Sequence, residues 1–379
     1  MNDNTLISVI VPAFQAAGSI ERAVKSVLAI PSGSIEVIVV DDGSTDGTSA
    51  VLEPLLVRDP RLKLIRQDNR GRSAARNRGV REASGKWLMF LDSDDFLMSG
   101  GYAPLLERAE NSGSPLVVFG MEKSDGRDQF GGCALWDTDC LSSPERLTSE
   151  LWAEELLDAM IFRECDSFVS NRWMYESNST WSRLYRRDQV DLLVSNSGLS
   201  LGPFPVGVRF SEDRLFNISY LKFLGHRRVE FVPHALYFWD LAESATCAQV
   251  RGDDADSLPL YFSETWRLMD AGLLTLREAE AITAREAFSL FQRAVYVAHS
   301  RSDVTAEPFV SVFSEKRMAQ SMGSLPVECL GRSLSWRLVA RLMARGWIRP
   351  AFSLCSAVYG ARKAVKAFLI RANVSTTLR

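Results

Sequence analysis

Short apolar runs, rich in β-branched residues, alternate with amphipathic helical segments over the first 120 residues, and this alternation constrains the fold most. Such runs are typical of strands buried on both faces, as in parallel sheets covered by helices. The predicted strands are residues 6–11, 35–40, 62–65, 87–91 and 116–119. We therefore predict an α/β fold with a mostly parallel sheet and helices on both faces.

Acidic residues follow two of these predicted strands at the points where the strands end. Asp41 and Asp42 follow the second strand, and Asp92, Asp94 and Asp95 follow the fourth. The carboxyl ends of parallel strands meet at one edge of the sheet, which is where such folds bind ligands. A carboxylate after the second strand can accept a hydrogen bond from a nucleobase N–H, although the glycine-rich segment that follows is equally typical of a plain turn.

The acidic group Asp92, Asp94 and Asp95 places three carboxylates within four residues, where they repel one another unless a cation compensates them. No cysteine or histidine lies nearby in the sequence, and hard oxygen ligands favour Mg²⁺ or Mn²⁺. The alternative is a solvated turn in which aspartate caps a helix. We expect a divalent metal, because the acids follow a buried strand and a second acidic pair ends another.

A helix predicted at residues 72–83 begins with small and basic residues. Small residues let the helix N-terminus approach a ligand, and Arg72 and Arg76 add positive charge that suits phosphates or bases. The alternative is a helix that packs closely through its alanines and leaves its arginines solvated. The chain contains neither the G-x-G-x-x-G of dinucleotide enzymes nor the phosphate loop G-x-x-x-x-G-K-[ST], which argues against both classes.

Four segments, in order and spacing, resemble glycosyltransferase family 2. They are SVIVP from Ser8, VVDDGSTDGT from Val39, GRSAARNRG from Gly71 and FLDSDD from Phe90. Each segment alone is common, but the four together are highly specific. The resemblance implies a GT-A fold, a nucleotide-sugar donor and, for most members, inversion at the anomeric carbon.

The resemblance also implies roles for single residues of the donor site. Pro12 and Ala13 would line the base pocket, Asp41 would bind uracil, and Arg72 would contact the base or the phosphates. The donor site would end at Asp92-Ser93-Asp94, with Asp92 near the ribose. Asp94 would ligate the Mn²⁺ or Mg²⁺ ion that bridges the diphosphate.

A weaker resemblance continues to about residue 245. The segment TWSRLY from Thr180 looks like the acceptor side of polysaccharide-building members, and FSEDRLF from Phe210 looks like the segment with the general base. That base would be Asp213, with Glu212 as the fallback. A carboxylate there can take the proton that an acceptor hydroxyl loses on attack. The alternative is an exposed first helical turn, where acids complement the helix dipole.

We predict three regions: a GT-A domain at 1–245, with a donor half at 1–120 and an acceptor half at 121–245, then a helical extension at 246–328 and a tail at 329–379. The predicted reaction moves a sugar from a UDP-sugar to a hydroxyl of a glycan or lipid-linked saccharide in cell-surface polysaccharide synthesis. One alternative is a sugar-1-phosphate nucleotidyltransferase, although no glycine-rich loop follows the first strand. The other is a catalytically degenerate, membrane-bound partner protein.

The tail at 329–379 differs in charge from the rest of the chain. It contains ten Lys or Arg and no Asp or Glu, so the net charge of −3 divides into a basic tail and a body of −13. With Trp336 and Trp347 among aliphatic residues, the tail resembles interfacial helices on anionic lipid, although it would alternatively pack on the enzyme. Scattered cysteines and no evident signal peptide suggest a cytoplasmic protein, peripheral on the inner membrane face. The acidic body argues against nucleic acid.

Overall fold

The computed structural model describes residues 6–31, 34–98, 102–124, 180–199, 202–227, 229–240, 257–298, 306–313, 316–323 and 334–357, with residues 157, 160, 161 and 325. These ranges include the four motif segments and the start of the helix that carries Asp213. A helix that the sequence predicts near residues 144–162 falls mostly outside the described residues.

Eight strands form one mixed sheet in the order β3-β2-β1-β4-β7-β6-β8-β5. They are β1 Ile7–Ala13, β2 Ile35–Asp41, β3 Leu62–Arg66, β4 Trp87–Phe90, β5 Phe96–Leu97, β6 Leu116–Ser124, β7 Arg183–Arg186 and β8 Val229–Asp240. The first four strands run parallel, as does the β6–β8 pair. The predicted α/β fold with a mostly parallel sheet is confirmed. The antiparallel strands β5 and β7 were not expected as such, because their short segments carry no direction signal.

Within the described residues of this part of the chain, six helices and a 3₁₀ turn have bounds that can be given. They are α1 Ile20–Leu28, the 3₁₀ turn Ala50–Leu52, α2 Glu53–Arg58, α3 Arg72–Glu82, α4 Tyr102–Asn111, α5 Arg187–Asn196 and α6 Glu212–Leu224. Helix α1 packs on the face of the sheet that bears Val9 and Val11, and α3 contacts Ile10 on the other face. Helices therefore cover both faces, as predicted.

Strand β1 continues through Pro12 to Ala13, two residues past the predicted end. Proline lacks the N–H that a ladder needs. The carbonyls of Ile10 and Ala13 accept from Leu91 and Asp42 respectively, so Pro12 faces the β4 side. The β1–β4 ladder ends at Ile10, so Pro12 displaces no ladder hydrogen bond. The extra length brings Ala13 level with Asp41 of β2 at the carboxyl edge.

Helix α3 approaches β1 closely because Gly79 faces the strand. A β-carbon on Gly79 would lie 2.3 Å from Cγ2 of Ile10, a distance that real contacts do not reach. The missing side chain lets the start of α3 lie beside the carboxyl edge of the sheet. The close spacing between β1 and α3 therefore depends on one glycine in the helix interior.

The chain divides into two compact units, of which the first contains the sheet with α1–α6 and the second the later helices. The second unit contains α7 Leu258–Asp270, α8 Leu276–Ala298, α9 Glu307–Phe313, α10 Lys316–Gly323 and α11 Leu334–Ala344, followed by a helical stretch at 348–357. The finer division at residues 245 and 328 stays a prediction. Within the described residues, no helix is both long and apolar enough to cross a bilayer.

The two tail tryptophans have different surroundings. Trp336 of α11 is only 6% exposed, and its ring meets Phe288 of α8 edge-on. Trp347, just after α11, is 56% exposed. The apolar face of α11 thus packs on its own unit, and of the two tryptophans expected at lipid only Trp347 is available.

Replacing Gly79 by alanine tests how closely α3 approaches β1. Alanine normally stabilises a helix interior by about 1 kcal/mol relative to glycine, whereas overpacking costs about 1–3 kcal/mol. Because the β-carbon would lie only 2.3 Å from Ile10 Cγ2, we expect the cost of overpacking to exceed the gain in helix propensity. The Tm of Gly79→Ala should therefore fall in scanning calorimetry. Gly113→Ala is the control, since its β-carbon would meet no atom within 4 Å. A Tm for Gly79→Ala at or above that of the wild type would contradict this packing.

Candidate functional site

The carboxyl ends of β1, β2 and β4 bring the predicted donor residues to one edge of the sheet. Pro12 and Ala13 are buried at the end of β1, and the next residue, Phe14, is 52% exposed. A large apolar side chain left in solvent at a ligand edge offers a ring for a base to stack on. The sequence motifs did not single out Phe14, although its position directly after a buried strand was a usable signal.

The turn after β2 is fixed to the turn after β1 by Gln15. Its side-chain oxygen accepts from the Thr45 N–H at 2.7 Å, and its backbone N–H donates to Ser44 Oγ at 3.0 Å. Gln15 has a φ of 51°, in the left-handed region that residues other than glycine rarely adopt. Strained backbone of this kind persists where surrounding contacts enforce it, and it concentrates at functional sites.

Asp41 and Asp42 point into different hydrogen-bond networks. Asp41 accepts from the Ser44 N–H at 2.9 Å and from the Ser49 hydroxyl. Asp42 accepts from the backbone N–H groups of Arg70 and Gly71 at 3.0 and 2.8 Å, which fixes the loop before α3. Both carboxylates are buried, so each stabilises a turn of the edge whatever else it binds.

A cleft of about 550 Å³ opens beside the ends of β2 and β3. Its volume lies in the usual range for small-molecule sites. Its lining is mostly polar and consists of Asp41, Gly43, Ser44, Thr45, Gly47, Thr48, Ser49, Ala50, Arg66, Gln67 and Asp68. Asp41 therefore borders a space that can hold a ligand. Arg66 and Gln67 also line this cleft, and no sequence motif indicated them.

The acidic turn after β4 gives each aspartate a different environment. Asp95 is buried and accepts from the Tyr237 hydroxyl and from the Asp240 N–H at 2.9 Å. Desolvation, followed by the charges of Asp92 and Asp94, raises the pKa of Asp95 to about 8. Because both of its carboxylate oxygens accept hydrogen bonds, Asp95 anchors the turn and is not a candidate metal ligand.

Asp94 is partly exposed on the same turn, as is Ser93. Burial, followed by the charge of Asp92, raises the pKa of Asp94. In the part of the chain that the structure describes, the Asp94 carboxylate forms no ion pair. An acid placed against like charge in this way is a ready ligand for a cation.

The donor set at this turn fits a shared metal site. Within the described ranges, no group of three or more His, Cys, Asp or Glu side chains could hold a metal ion by itself. Mg²⁺ commonly binds one or two protein carboxylates together with the phosphates of a substrate. Asp94 fits that pattern because its oxygens are hard ligands and its carboxylate forms no ion pair with a described residue.

Arg76 links the acidic turn to the start of α6. It is only 1% exposed, and its Nη2 and Nη1 donate to Asp92 Oδ1 and Glu212 Oε1, both at 2.9 Å. The exposed Arg72 reaches Glu212 at 3.4 Å. The expectation that both arginines face a ligand is thus corrected for Arg76, which is buried between carboxylates. Arg72 remains at the surface.

Asp213 lies in the first turn of α6, directly after the buried Glu212, and remains partly exposed. Its carboxylate accepts from the Arg214 N–H at 2.8 Å. Desolvation, followed by the charge of Glu212, raises the pKa of Asp213 to about 7. A carboxylate that titrates near neutral pH is suited to general base catalysis. The preceding Ser211 has a φ of 54°, a second strained position beside the site.

Comparison with known proteins agrees with this geometry. The family model for glycosyl transferase family 2 matches residues 8–132, which contain all four motif segments. The uncharacterized glycosyltransferase EpsJ of Bacillus subtilis is 32% identical over 235 residues, 62% of this chain and 60% of that protein. The chain thus spans less than two thirds of EpsJ.

Two further proteins are informative. The GalNAc(5)-diNAcBac-PP-undecaprenol beta-1,3-glucosyltransferase of Campylobacter jejuni is 31% identical over 214 residues, 50% of this chain and 69% of that protein. The crystal structure of S. aureus TarS in complex with UDP-GlcNAc superposes with a TM-score of 0.62 at 18% identity, covering 94% of this chain and 92% of that one. The likeness to TarS concerns the fold and confirms the GT-A architecture.

Proposed function

This chain belongs to glycosyltransferase family 2, and we propose that it moves a sugar from a UDP-sugar to a hydroxyl of a glycan or lipid-linked saccharide. The observation that carries the proposal is the guanidinium of Arg76, which Asp92 and Glu212 share. One terminal nitrogen of this guanidinium binds the predicted donor turn, and the other binds the residue before Asp213. A donor group and an acceptor base are thereby expected at one site.

The donor proposal rests on the edge formed by β1, β2 and the loop before α3. Phe14 offers a stacking surface, Asp41 borders the polar cleft, and Arg72 is exposed at the start of α3. These are the elements that a uracil, a ribose and a diphosphate need. TarS, which shares the fold, was crystallised with UDP-GlcNAc, which supports a UDP-sugar here.

Asp94 is the residue proposed to hold Mn²⁺ or Mg²⁺ together with the donor diphosphate. When bound, such an ion stabilises the negative charge that develops on the leaving diphosphate. Asp92 is already paired with Arg76, and Asp95 is engaged by Tyr237 and Asp240. Asp94 is therefore the acid of this turn that is left for a ligand.

Asp213 is proposed as the general base. It would take the proton from the acceptor hydroxyl while that oxygen bonds to the anomeric carbon and the bond to the diphosphate oxygen breaks. A single in-line displacement of this kind inverts the anomeric configuration. The pKa of Asp213, raised to about 7, leaves an ionised fraction near neutral pH and a useful driving force for proton transfer.

The acceptor proposal draws on a basic surface of the second unit. Leu338, Arg341, Arg345 and Trp347 are all exposed on or just after α11. Two arginines beside an exposed tryptophan and leucine suit the headgroup region of an anionic bilayer. We propose that this surface keeps the enzyme at the inner membrane face, where lipid-linked acceptors are accessible. The undecaprenol-linked substrate named for the Campylobacter relative supports this class of acceptor.

Donor binding is expected to require both the metal and Asp94. Calorimetry should detect UDP binding with Mn²⁺ and little without it, and Asp94→Asn should weaken binding with Mn²⁺ by at least about 100-fold, because it removes the protein's charge at the metal. Asp191→Asn, at an exposed position of α5, is the control for the loss of one carboxylate. Equal binding by Asp94→Asn and the wild type would remove the metal from the proposal.

The pH dependence of transfer should report Asp213. Because a base acts only when ionised, kcat/KM is expected to fall by about tenfold for each pH unit below about 7, instead of below about 4 as for an ordinary carboxyl. A profile without this acid limb, measured with a fixed UDP-sugar and acceptor, would contradict the assignment.

Asp213→Asn separates a catalytic from a structural role. The pKa of Asp213 is higher in the folded chain than in the unfolded one, so the free energy of unfolding falls as the pH rises from about 4 to about 7, and the full loss is present at pH 8. The variant should therefore keep or raise the Tm at pH 8, bind UDP normally and lose transfer by at least about 100-fold. Near-normal turnover would shift the base to Glu212 or elsewhere.

Membrane binding should depend on Arg341 and Arg345. Each basic residue near an anionic surface contributes about 1 kcal/mol, so reversing both charges should weaken partition into anionic liposomes by at least about 30-fold. Point changes suit this test better than truncation, because α11 packs on its own unit through Trp336. The double reversal at Arg58 and Arg81, which are exposed on α2 and α3, matches the change in net charge. Equal co-sedimentation of both variants would exclude this surface.

A further inference from the structure

Arg76 is the one buried cation of α3, and it sits between acids that lie 16 and 136 positions away in the chain. A buried guanidinium is costly unless its N–H groups are paired. The two carboxylates at 2.9 Å pair Nη2 and Nη1 in a forked geometry that a planar guanidinium supports and an ammonium does not, whereas the buried Nε has no hydrogen-bond partner among the described residues. Its position therefore follows from both acids together.

A second contact from the same helix holds the segment that precedes α6. Asn77 donates to the Phe204 carbonyl at 2.8 Å and accepts from the Phe204 N–H at 2.9 Å. Gly202 leaves room for this pair, because a β-carbon there would lie 2.6 Å from Cγ of Asn77. The Arg76 guanidinium lies over the Phe204 ring, 5.4 Å from its centre. Neighbouring residues of α3 thus fix both Phe204 and Glu212.

From these contacts we infer that Arg76 is a positioning residue for transfer. It holds Glu212, the first residue of α6, and thereby sets the place of Asp213 relative to Asp92 on the donor turn. It acts through these carboxylates and does not itself contact the reacting atoms, since it is buried. The exposed Arg72, at the start of the same helix, is the arginine proposed to contact the donor. The inference rests on the proposed function, because it takes Asp213 as the base.

Arg76 also affects the charge state of the base. Its positive charge opposes the two effects that raise the pKa of Asp213, which are desolvation and the charge of Glu212. Arg72 opposes them too, more weakly, and Tyr185 is close enough for its own pKa to respond to Asp213 and Arg76. Loss of the Arg76 charge should therefore move the acid limb of the pH profile to higher pH. Retention of the charge in a poorer geometry should leave the limb in place.

Two substitutions separate geometry from charge. Arg76→Lys keeps the charge but cannot donate to both carboxylates in the same forked way. We expect kcat to fall by about 100-fold, as for a misplaced catalytic group, with the acid limb unchanged and UDP affinity within about twofold of the wild type. Arg78→Lys is the matched control. It lies two residues along α3, is exposed, forms an ion pair with Glu82 and should keep normal turnover.

The second substitution is the double variant Arg76→Met with Glu212→Gln, which removes the cation and one buried acid together and so avoids an unpaired charge at that position. It should fold by circular dichroism, and its acid limb should not move to higher pH, because the charge of Glu212, which raises the pKa of Asp213, is lost together with the smaller opposing effect of Arg76. Combining Arg76→Lys with Asp213→Asn should add almost nothing to the loss caused by Asp213→Asn alone, since both act through one group.

Three results would overturn the inference: wild-type turnover in Arg76→Lys, full additivity with Asp213→Asn, or a loss of UDP binding as large as the loss of turnover. These results differ from failure of the proposed function. If Asp213→Asn and Asp94→Asn both remain active, the proposed function fails whatever Arg76→Lys does. If they are inactive and Arg76→Lys is normal, only the role of Arg76 fails.

Discussion

The guanidinium of Arg76 lies between two carboxylates from distant segments, and the arrangement of the site depends on this contact. Removing one partner of a buried ion pair typically costs about 3–5 kcal/mol, because the remaining charge stays desolvated. The turn after β4, helix α3 and the start of α6 are therefore fixed relative to one another. Aromatic side chains support the same geometry: Phe216 and Tyr220 of α6 pack with Phe90, Tyr185 and Phe204.

The three aspartates of the acidic turn lie in three different environments, and this reduces the repulsion between their charges. Asp92 is neutralised by an arginine, and Asp95 by a raised pKa together with hydrogen bonds from Tyr237 and Asp240. Asp94 forms no ion pair with a described residue. Were all three ionised and unpaired, their repulsion at the end of a buried strand would oppose folding. The proposed cation, shared with a diphosphate, would relieve the charge that remains.

The second unit combines a packed face and an open face on one helix. Trp336, Val339 and Met343 of α11 are buried, whereas Leu338 and Arg341 are exposed. In a helix with 3.6 residues per turn, apolar residues that occupy more than one stripe along the helix lie on both its buried and its exposed side. The two alternatives for the tail are therefore compatible, because packing uses one side of the helix and leaves the basic side available for a surface.

The sequence by itself determined the layers of the fold and the edge of the sheet where ligands would bind. Strand runs, helical periods and the acids after two strands are local patterns, and local patterns survive in a linear chain. They sufficed to place Pro12, Asp41 and Asp94 at the carboxyl edge. They did not give the direction of β5 and β7, because short strands take their orientation from the neighbours they pair with.

Only the tertiary structure decided which members of each pattern do what. Arg72 and Arg76 are alike in the sequence, yet one is exposed and the other is enclosed by acids, because helix position relative to the sheet sets burial. Tyr237 lies 142 positions from Asp95 and binds it, a pairing that no local pattern encodes. Burial and long-range pairing set the pKa values of the site and decide which of its side chains are already paired. Burial and such pairing arise only when distant segments meet.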